Sequence, residues 1–441
     1  MIPILSLDNP ADSQRVESYL RNLALDPVSL ALGAGERAKQ VAAVQQILAD
    51  VAQRGDDALV ENCRKFDDPN FSASQIRVTQ DEMAEVAGRV PGDQLSAVRR
   101  SIAQVREYQT HLMPKDPPPL RRPGVELGMR FTPLDSAGLY FPGGKAAYPS
   151  SLIMLAVPAQ VAGVGRIVVC SPPSKYGRID LVLAACHELK LTDVFRAGGA
   201  AAIAAMAFGT ATIPRVDKIV GPGNIYVQLA KRALAGCVGI DGFLGPSEIL
   251  VLADDSGNPA FIASDLLAQA EHDPGSCFLL TDSMKLAQAV KSEIQKQIST
   301  LPRRIAAEKA LKESSAIIVG RSIDEVIPLA DRFAAEHVNL QTRDDRAVLQ
   351  KLRHAGAVFV GPWSPVAAGD YVAGPSHCLP TNSTARFSSG VSVYEFLKRS
   401  SVARYEPDGL KADAPAIISM ADAEHLDAHA KSVQIRLSAR K

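Results

Sequence analysis

The sequence predicts an α/β protein: two modules of short, mostly parallel strands alternating with helices, with helical segments at both ends. Two observations carry this. From about residue 125, short apolar runs at 137–141, 166–170, 193–196 and 218–220 alternate with helical stretches, which is the signature of β–α units. The alternation resumes at 248–252, 277–281, 316–319 and 357–360 without an internal sequence repeat, making a second module.

In chain order, Asn9-Pro10 supplies a cap and first-turn residue for an opening helix, which Pro27 and Gly33-Ala34-Gly35 interrupt. A second helix carries Val41, Val44, Ile47, Leu48 and Val51 at helical spacing. Thr79 and Glu82 have the spacing of a capping box, and Pro91 opens a long helix to about residue 113. The proline-rich 114–119 segment cannot continue it and marks a boundary. The tail after about residue 392 reads helical and charged.

The bulk numbers narrow the function. The 441 residues suffice for two or three domains with a buried core. Lys+Arg and Asp+Glu are 48 each; without a basic excess, nucleic acid is not an expected partner. The opening residues lack the basic stretch and apolar core of a secretory signal. The longest apolar stretch, 152–164, carries Pro158 and Gln160 and is too short to span a bilayer, so no membrane association is expected. Six cysteines are scattered without CxxC spacing, which argues against a disulfide framework and for a cytoplasmic location.

Three predicted strands end in glycine: Tyr140-Phe-Pro-Gly143-Gly144, Arg196-Ala-Gly198-Gly199 and Val220-Gly221-Pro222-Gly223-Asn224. Glycine lets the backbone approach a ligand, and a following helix start offers free N–H groups to a pyrophosphate. None matches GxGxxG, so tight strand-to-helix turns are the competing reading.

Gln269 and His272 share one face at the end of a helix that Asn258-Pro259 starts and Asp273-Pro274-Gly275 breaks. They are either metal ligands or a polar pair with His272 favoured by the helix dipole. His425 and His429 are four apart on a predicted helix, the spacing of a two-histidine metal site, amid Asp422, Glu424 and Asp427; a solvated face fits equally. Glu336-His337, between a helix and the strand-like 338–341, pairs a carboxylate with an imidazole of different proton affinity, or is an ordinary charged helix end. Asp370 and His377 lie in one glycine-rich loop, where Asp370 either binds metal or caps the turn.

Taken in order, the stretches GLYFPGGKAAYPSS (138–151), VDKIVGPGN (216–224), GIDGFLGPSEILVLAD (239–254), DLLAQAEHDP (265–274), FAAEHVNLQ (333–341), GDYVAGPSHCLPT (369–381) and TARFSSGVSVYEFLKRSSV (384–402), with the Glu424…His429 pair, resemble histidinol dehydrogenases over almost the whole chain. The resemblance implies four-electron oxidation of L-histidinol to L-histidine, via L-histidinal, by two NAD⁺, the last step of histidine biosynthesis. It places zinc ligands on Gln269, His272, Asp370 and His429, and the acid/base pair on Glu336 and His337. Substrate contacts fall on Ser247, His337, His377 and Glu424 besides the zinc ligands, and His425 is left at the surface. NAD contacts are expected at Tyr140 and Asn224, in the first and third glycine turns.

The implied fold is two incomplete Rossmann-like modules: an N-terminal helical extension (1–33), a discontinuous first domain (34–137 and 249–391), a second domain on the NAD side (138–248) and a dimerising helical tail (392–441). The tail of one subunit reaches the neighbour's site, implying a homodimer with shared sites. Neutral His337 would take the alcohol proton and Glu336 would activate the water that adds to the aldehyde. Two departures from the family pattern stand out. Ala201 occupies the place of a glutamine expected to bond the cofactor. Gly242-Phe243-Leu244 replaces a methionine-containing stretch beside Ser247. The second leaves open a paralogue acting on another small polar alcohol, such as a sulfonated diol.

Overall fold

A computed structural model describes residues 1–26, 35–143, 148–173, 180–245, 247–272 and 274–438, the side chain of Glu36 excepted. Pro27, Gly33, Ala34, Gly144 and Asp273, all used above, lie outside the described residues. The chain divides into two compact units: Met1–Leu112 with Asp135–Phe396, and Met113–Leu134 with Leu397–Lys441.

In chain order the strands are β1 (Ile4–Ser6), β2 (Leu120–Arg122), β3 (Val125–Pro133), β4 (Ser136–Tyr140), β5 (Arg166–Ser171), β6 (Asp193–Arg196), β7 (Lys218–Val220), β8 (Gly239–Ile240), β9 (Ser247–Ala253), β10 (Gly275–Thr281), β11 (Ala316–Val319), β12 (His337–Gln341), β13 (Ala357–Val360) and β14 (Leu397–Tyr405). In the first unit, a six-stranded sheet has the order β1-β11-β10-β9-β12-β13 and a five-stranded sheet the order β6-β5-β4-β7-β8. Every pairing in both is parallel. The protein is therefore of the mixed α/β class, with parallel sheets and many helices, as the alternation predicts.

Strands β9 and β10 read as continuous apolar runs because helices cover both faces of their sheet. The period of two sorts their residues. Ile249, Val251, Cys277 and Leu279 pack with Ile262, Leu266 and Val290 on one face. Leu250, Leu252, Phe278 and Leu280 pack with Val16, Val326 and Phe333 on the other. In the five-stranded sheet, the helix Gly199–Phe208 is buried along almost its whole length and shares a core with Val44 and Val51 of the helix Ala38–Arg54.

Local signals set several helix starts. Asn9 Oδ1 accepts from Ala11 N at 3.0 Å, and Thr79 Oγ1 accepts from Glu82 N at 3.1 Å. Ahead of the first helix, Ile4–Ser6 is a strand paired with β11, too short for any periodicity to announce it.

The second unit holds an antiparallel sheet, β14-β3-β2, and the helices Pro407–Ala423 and Asp427–Ser438. The helical reading of the tail fails over Leu397–Tyr405, which pairs with β3 along its length. This strand is almost wholly exposed, so its sequence carries no apolar alternation, and its partner alone defines it. The shared helix drawn through His425 and His429 also fails: His425 lies in the turn between the two helices, with φ of 57°. Among the described residues, no helix is long and apolar enough to cross a membrane.

Candidate active site

The candidate site gathers at the amino-terminal edge of the six-stranded sheet. Ser247 opens β9, His337 opens β12, and parallel register sets Ser247 opposite Gly275 and His337 opposite Ile249 and Ala357. The glycine turns, by contrast, follow the carboxyl ends of β4, β6 and β7, where open α/β sheets usually bind ligands.

The helix Pro259–Ala270, capped by Asn258 Oδ1 on Ala260 N at 2.9 Å, delivers Gln269 in buried surroundings. The backbone then folds back, His272 N donating to Gln269 O at 3.2 Å. Only glycine fits at 275, since a Cβ there would lie 2.6 Å from Gln269 O. Gln269 Nε2 is buried without a hydrogen-bond partner, an orphan polar atom of the kind a ligand satisfies.

The helix Ile323–Phe333 ends at Ala334, in the left-handed region at φ 45°, and the chain enters β12 through Glu336 and His337. Glu336 Oε2 accepts from Glu248 N at 2.9 Å. His337 Nδ1 lies 3.1 Å from Glu248 O and 3.4 Å from Glu336 Oε2. A carbonyl only accepts, so Nδ1 carries the proton. Nε2 is the free nitrogen, buried without a hydrogen-bond partner and 3.8 Å from Asp370 Oδ1.

Electrostatics differ sharply within this cluster. Burial opposes the imidazolium of His337, but the Glu336 carboxylate, then Asp370 and the Glu248 carbonyl, outweigh it and raise the pKa to about 9. The ring is therefore charged near neutral pH in the metal-free protein. This departs from the neutral form expected above, because sequence showed one neighbouring carboxylate and the fold supplies two. His272 is displaced the other way: burial lowers it, against the pull of Asp370 and Glu336. A neutral imidazole is the form that binds metals. Burial pushes Glu248 up to about 8, opposed by the Asn382 N–H and aided by Glu336.

Asp370 is carried by the short helix Val366–Tyr371. Its carbonyl accepts from His377 Nδ1 at 2.8 Å, leaving His377 Nε2 to accept from the Ser151 hydroxyl at 3.0 Å. The fold thus links Glu336, His337 and Asp370 directly, His377 through Asp370, and His272 by charge. Gln269 sits one turn before His272, and Ser247 beside Glu248. Glu424 and His429 belong to the second unit, where both are exposed.

Sequence reasoning missed Glu248 and Ser151. Glu248 was visible only as a charged residue inside an apolar strand, and Ser151 carried no local signal. Among the described residues, no group of three or more His, Cys, Asp or Glu side chains is placed to hold a metal ion. The first unit offers a partial donor set: one imidazole, one carboxylate and the Gln269 amide.

On the glycine-turn side, Tyr140 is buried and its hydroxyl accepts from Gly199 N at 3.1 Å, joining the first turn to the second. Asn224 Oδ1 caps its helix by accepting from Tyr226 N and Val227 N, which leaves its amide N–H groups as donors. Ala201 is buried in the alanine-rich core. A cavity of about 630 Å³ lined by Gln228, Arg232, Phe243 and Phe387 holds none of the candidate side chains; the convergent polar groups, not that volume, mark the chemistry.

The family model described as histidinol dehydrogenase matches residues 33–437. The chain belongs to the histidinol dehydrogenase family. Histidinol dehydrogenase of Geobacillus kaustophilus is 48% identical over 401 residues, 90% of this chain and 94% of its own. That of Gluconobacter oxydans is 44% identical over 426 residues, 96% of this chain and 99% of its own. The crystal structure of histidinol dehydrogenase from Elizabethkingia anophelis superposes with a TM-score of 0.90 at 34% identity, covering 99% of this chain and 98% of that one.

Proposed function

We propose that the chain is a zinc-dependent, NAD-linked dehydrogenase that oxidises L-histidinol to L-histidine through L-histidinal, as a cytoplasmic homodimer with sites shared between subunits. The observation that carries this reading is the buried Glu336–His337 couple, whose one unsatisfied nitrogen faces Asp370. Membership of the histidinol dehydrogenase family supports the choice of substrate.

Both implied cofactors suit the residues present. For zinc, the Gln269 amide oxygen, the imidazole of His272, whose charged form burial disfavours, and the Asp370 carboxylate form a mixed N/O donor set. His429 of a second copy is the fourth donor in this reading. For the dinucleotide, the second turn presents bare backbone: a Cβ at Gly199, φ 60°, would meet nothing within 4 Å. Tyr140, bonded to that turn, and Asn224, in the third turn, are the proposed NAD contacts. When bound, zinc supplies a cation that holds the substrate's nitrogen donors, and NAD⁺ supplies the hydride acceptor.

The remaining work falls to side chains. His337 takes the alcohol proton at Nε2 as the adjacent carbon gives up its hydride, which leaves the aldehyde. Its Nδ1–H stays on Glu248 O, which fixes the tautomer and the ring plane. Glu336 takes a proton from the water that adds to the aldehyde, and the resulting hydrate releases the second hydride to give the acid. Ser247, His377 and Glu424 orient the substrate, together with Gln269, His272, His337, Asp370 and His429. Asp370 adds to the pull of Glu336 on the His337 proton, and a cation held by Asp370 would cancel that part of it and favour the base form.

The test is stoichiometry. Zinc-loaded protein should form two NADH per histidinol consumed. A ratio of one, or turnover only of other alcohols, would overturn this reading.

A further inference from the structure

One buried group of charges takes no part in the chemistry above. Lys231 and Asp241 form an ion pair with side chains 1% and 0% exposed, and both close on the backbone of one residue, Gly221. Asp241 Oδ2 accepts from Gly221 N at 2.6 Å, while Lys231 Nζ donates to Gly221 O at 3.0 Å. Gly221 opens the third glycine turn. Its φ is +125°, and a Cβ there would fall 1.8 Å from Tyr140 O. That backbone shape is available only to glycine, and the ion pair holds it from both sides.

One turn earlier on the same helix face lies Gln228, also buried. Its Nε2 donates to Leu244 O at 2.8 Å and Gly223 O at 3.3 Å, and its Oε1 accepts from Leu244 N at 3.1 Å. The helix Ile225–Leu234 thus grips two loops at once: the turn Gly221–Asn224 and the segment 241–245, which leads to Ser247. Burying a lysine–aspartate pair brings little net stability, so its placement on both sides of Gly221 calls for a positional explanation.

We propose that Gln228 and the Lys231–Asp241 pair are positioning residues: they fix the third glycine turn in its dinucleotide-binding shape, and Gln228 couples that turn to the segment 241–245 ahead of Ser247. The proposal rests on the dinucleotide reading given above. It is tested on the full chain without turnover, by titrating NADH alone and following nicotinamide fluorescence. Gln228→Leu removes three hydrogen bonds and no charge. Lys231→Met combined with Asp241→Asn removes the pair without stranding a buried charge.

Both variants are expected to weaken NADH binding by about tenfold or more, since small displacements at a binding element cost that much. They should raise KM for NAD while sparing kcat at saturating NAD, and Gln228→Leu should in addition raise KM for the alcohol. Unchanged NADH affinity in folded variants, with only a lowered Tm, would overturn the proposal. If the unmodified protein binds no NADH, the dinucleotide reading itself falls, and that result is distinct from the first.

Discussion

Replacing Glu336 with glutamine should drop the pKa of His337 by removing the neighbour that holds it up. In the metal-free protein that pKa is raised from 6.5 to about 9, worth about 3 kcal/mol in favour of the imidazolium at 1.36 kcal/mol per unit. Burial acts against the charged ring, and the carboxylate 3.4 Å away at Glu336 is the largest force for it. With that charge gone, burial opposes only Asp370 and the Glu248 carbonyl, and the pKa falls back toward 6.5. The sign for stability follows. A raised histidine pKa stabilises the fold fully below 6.5 and loses that contribution as pH rises through about 9. Glu336→Gln should therefore flatten the stability–pH curve across that window. The assay is NMR titration of the ring in metal-free protein, paired with urea unfolding at several pH values. A variant ring that still titrates near 9 would refute the argument that Glu336 sets it.

Two further substitutions probe the same couple. His337→Asn should slow the first oxidation by roughly 10²- to 10⁴-fold while leaving NADH binding intact; rapid-quench measurement of the first hydride transfer checks this, and a normal rate would remove His337 as the base. Gly356→Ala would set a Cβ 2.5 Å from Glu336 O and 3.2 Å from Leu379 Cβ, so it should displace Glu336 and cut kcat by about 10- to 100-fold. Steady-state kinetics beside a melting curve test this, and loss of stability alone would mean the shift never reaches the carboxylate.

Much of the fold was legible because it follows from local rules. Apolar runs bounded by turn residues located β4, β5, β6, β7, β9, β10, β11 and β13 to within two residues at each end. Caps at Asn9, Thr79 and Asn258 marked helix starts through a hydrogen bond written in the sequence. The failures share a cause. Strands β1 and β14 have partners far away in sequence, and the exposed 397–405 segment has no buried face to impose alternation. His425 and His429 sat at helical spacing, but a backbone turn separates them, and spacing alone could not reveal it.

The site was legible in part. Each residue of the Glu336–His337 pair could be picked out, yet its meaning depends on Glu248 holding both from β9 and on Asp370 closing in from another helix. Those contacts span long stretches of chain that no periodicity connects. The motif resemblance bridged that gap, because it compares residues already selected to converge.

Anomalous diffraction at the zinc edge, on crystals of the zinc-loaded protein, tests the central claim most directly. One zinc per chain is expected, bound by Gln269, His272 and Asp370 of one subunit and His429 of another copy, next to His337. Zinc bound by any other set of side chains, or these four left in separate places, would contradict it.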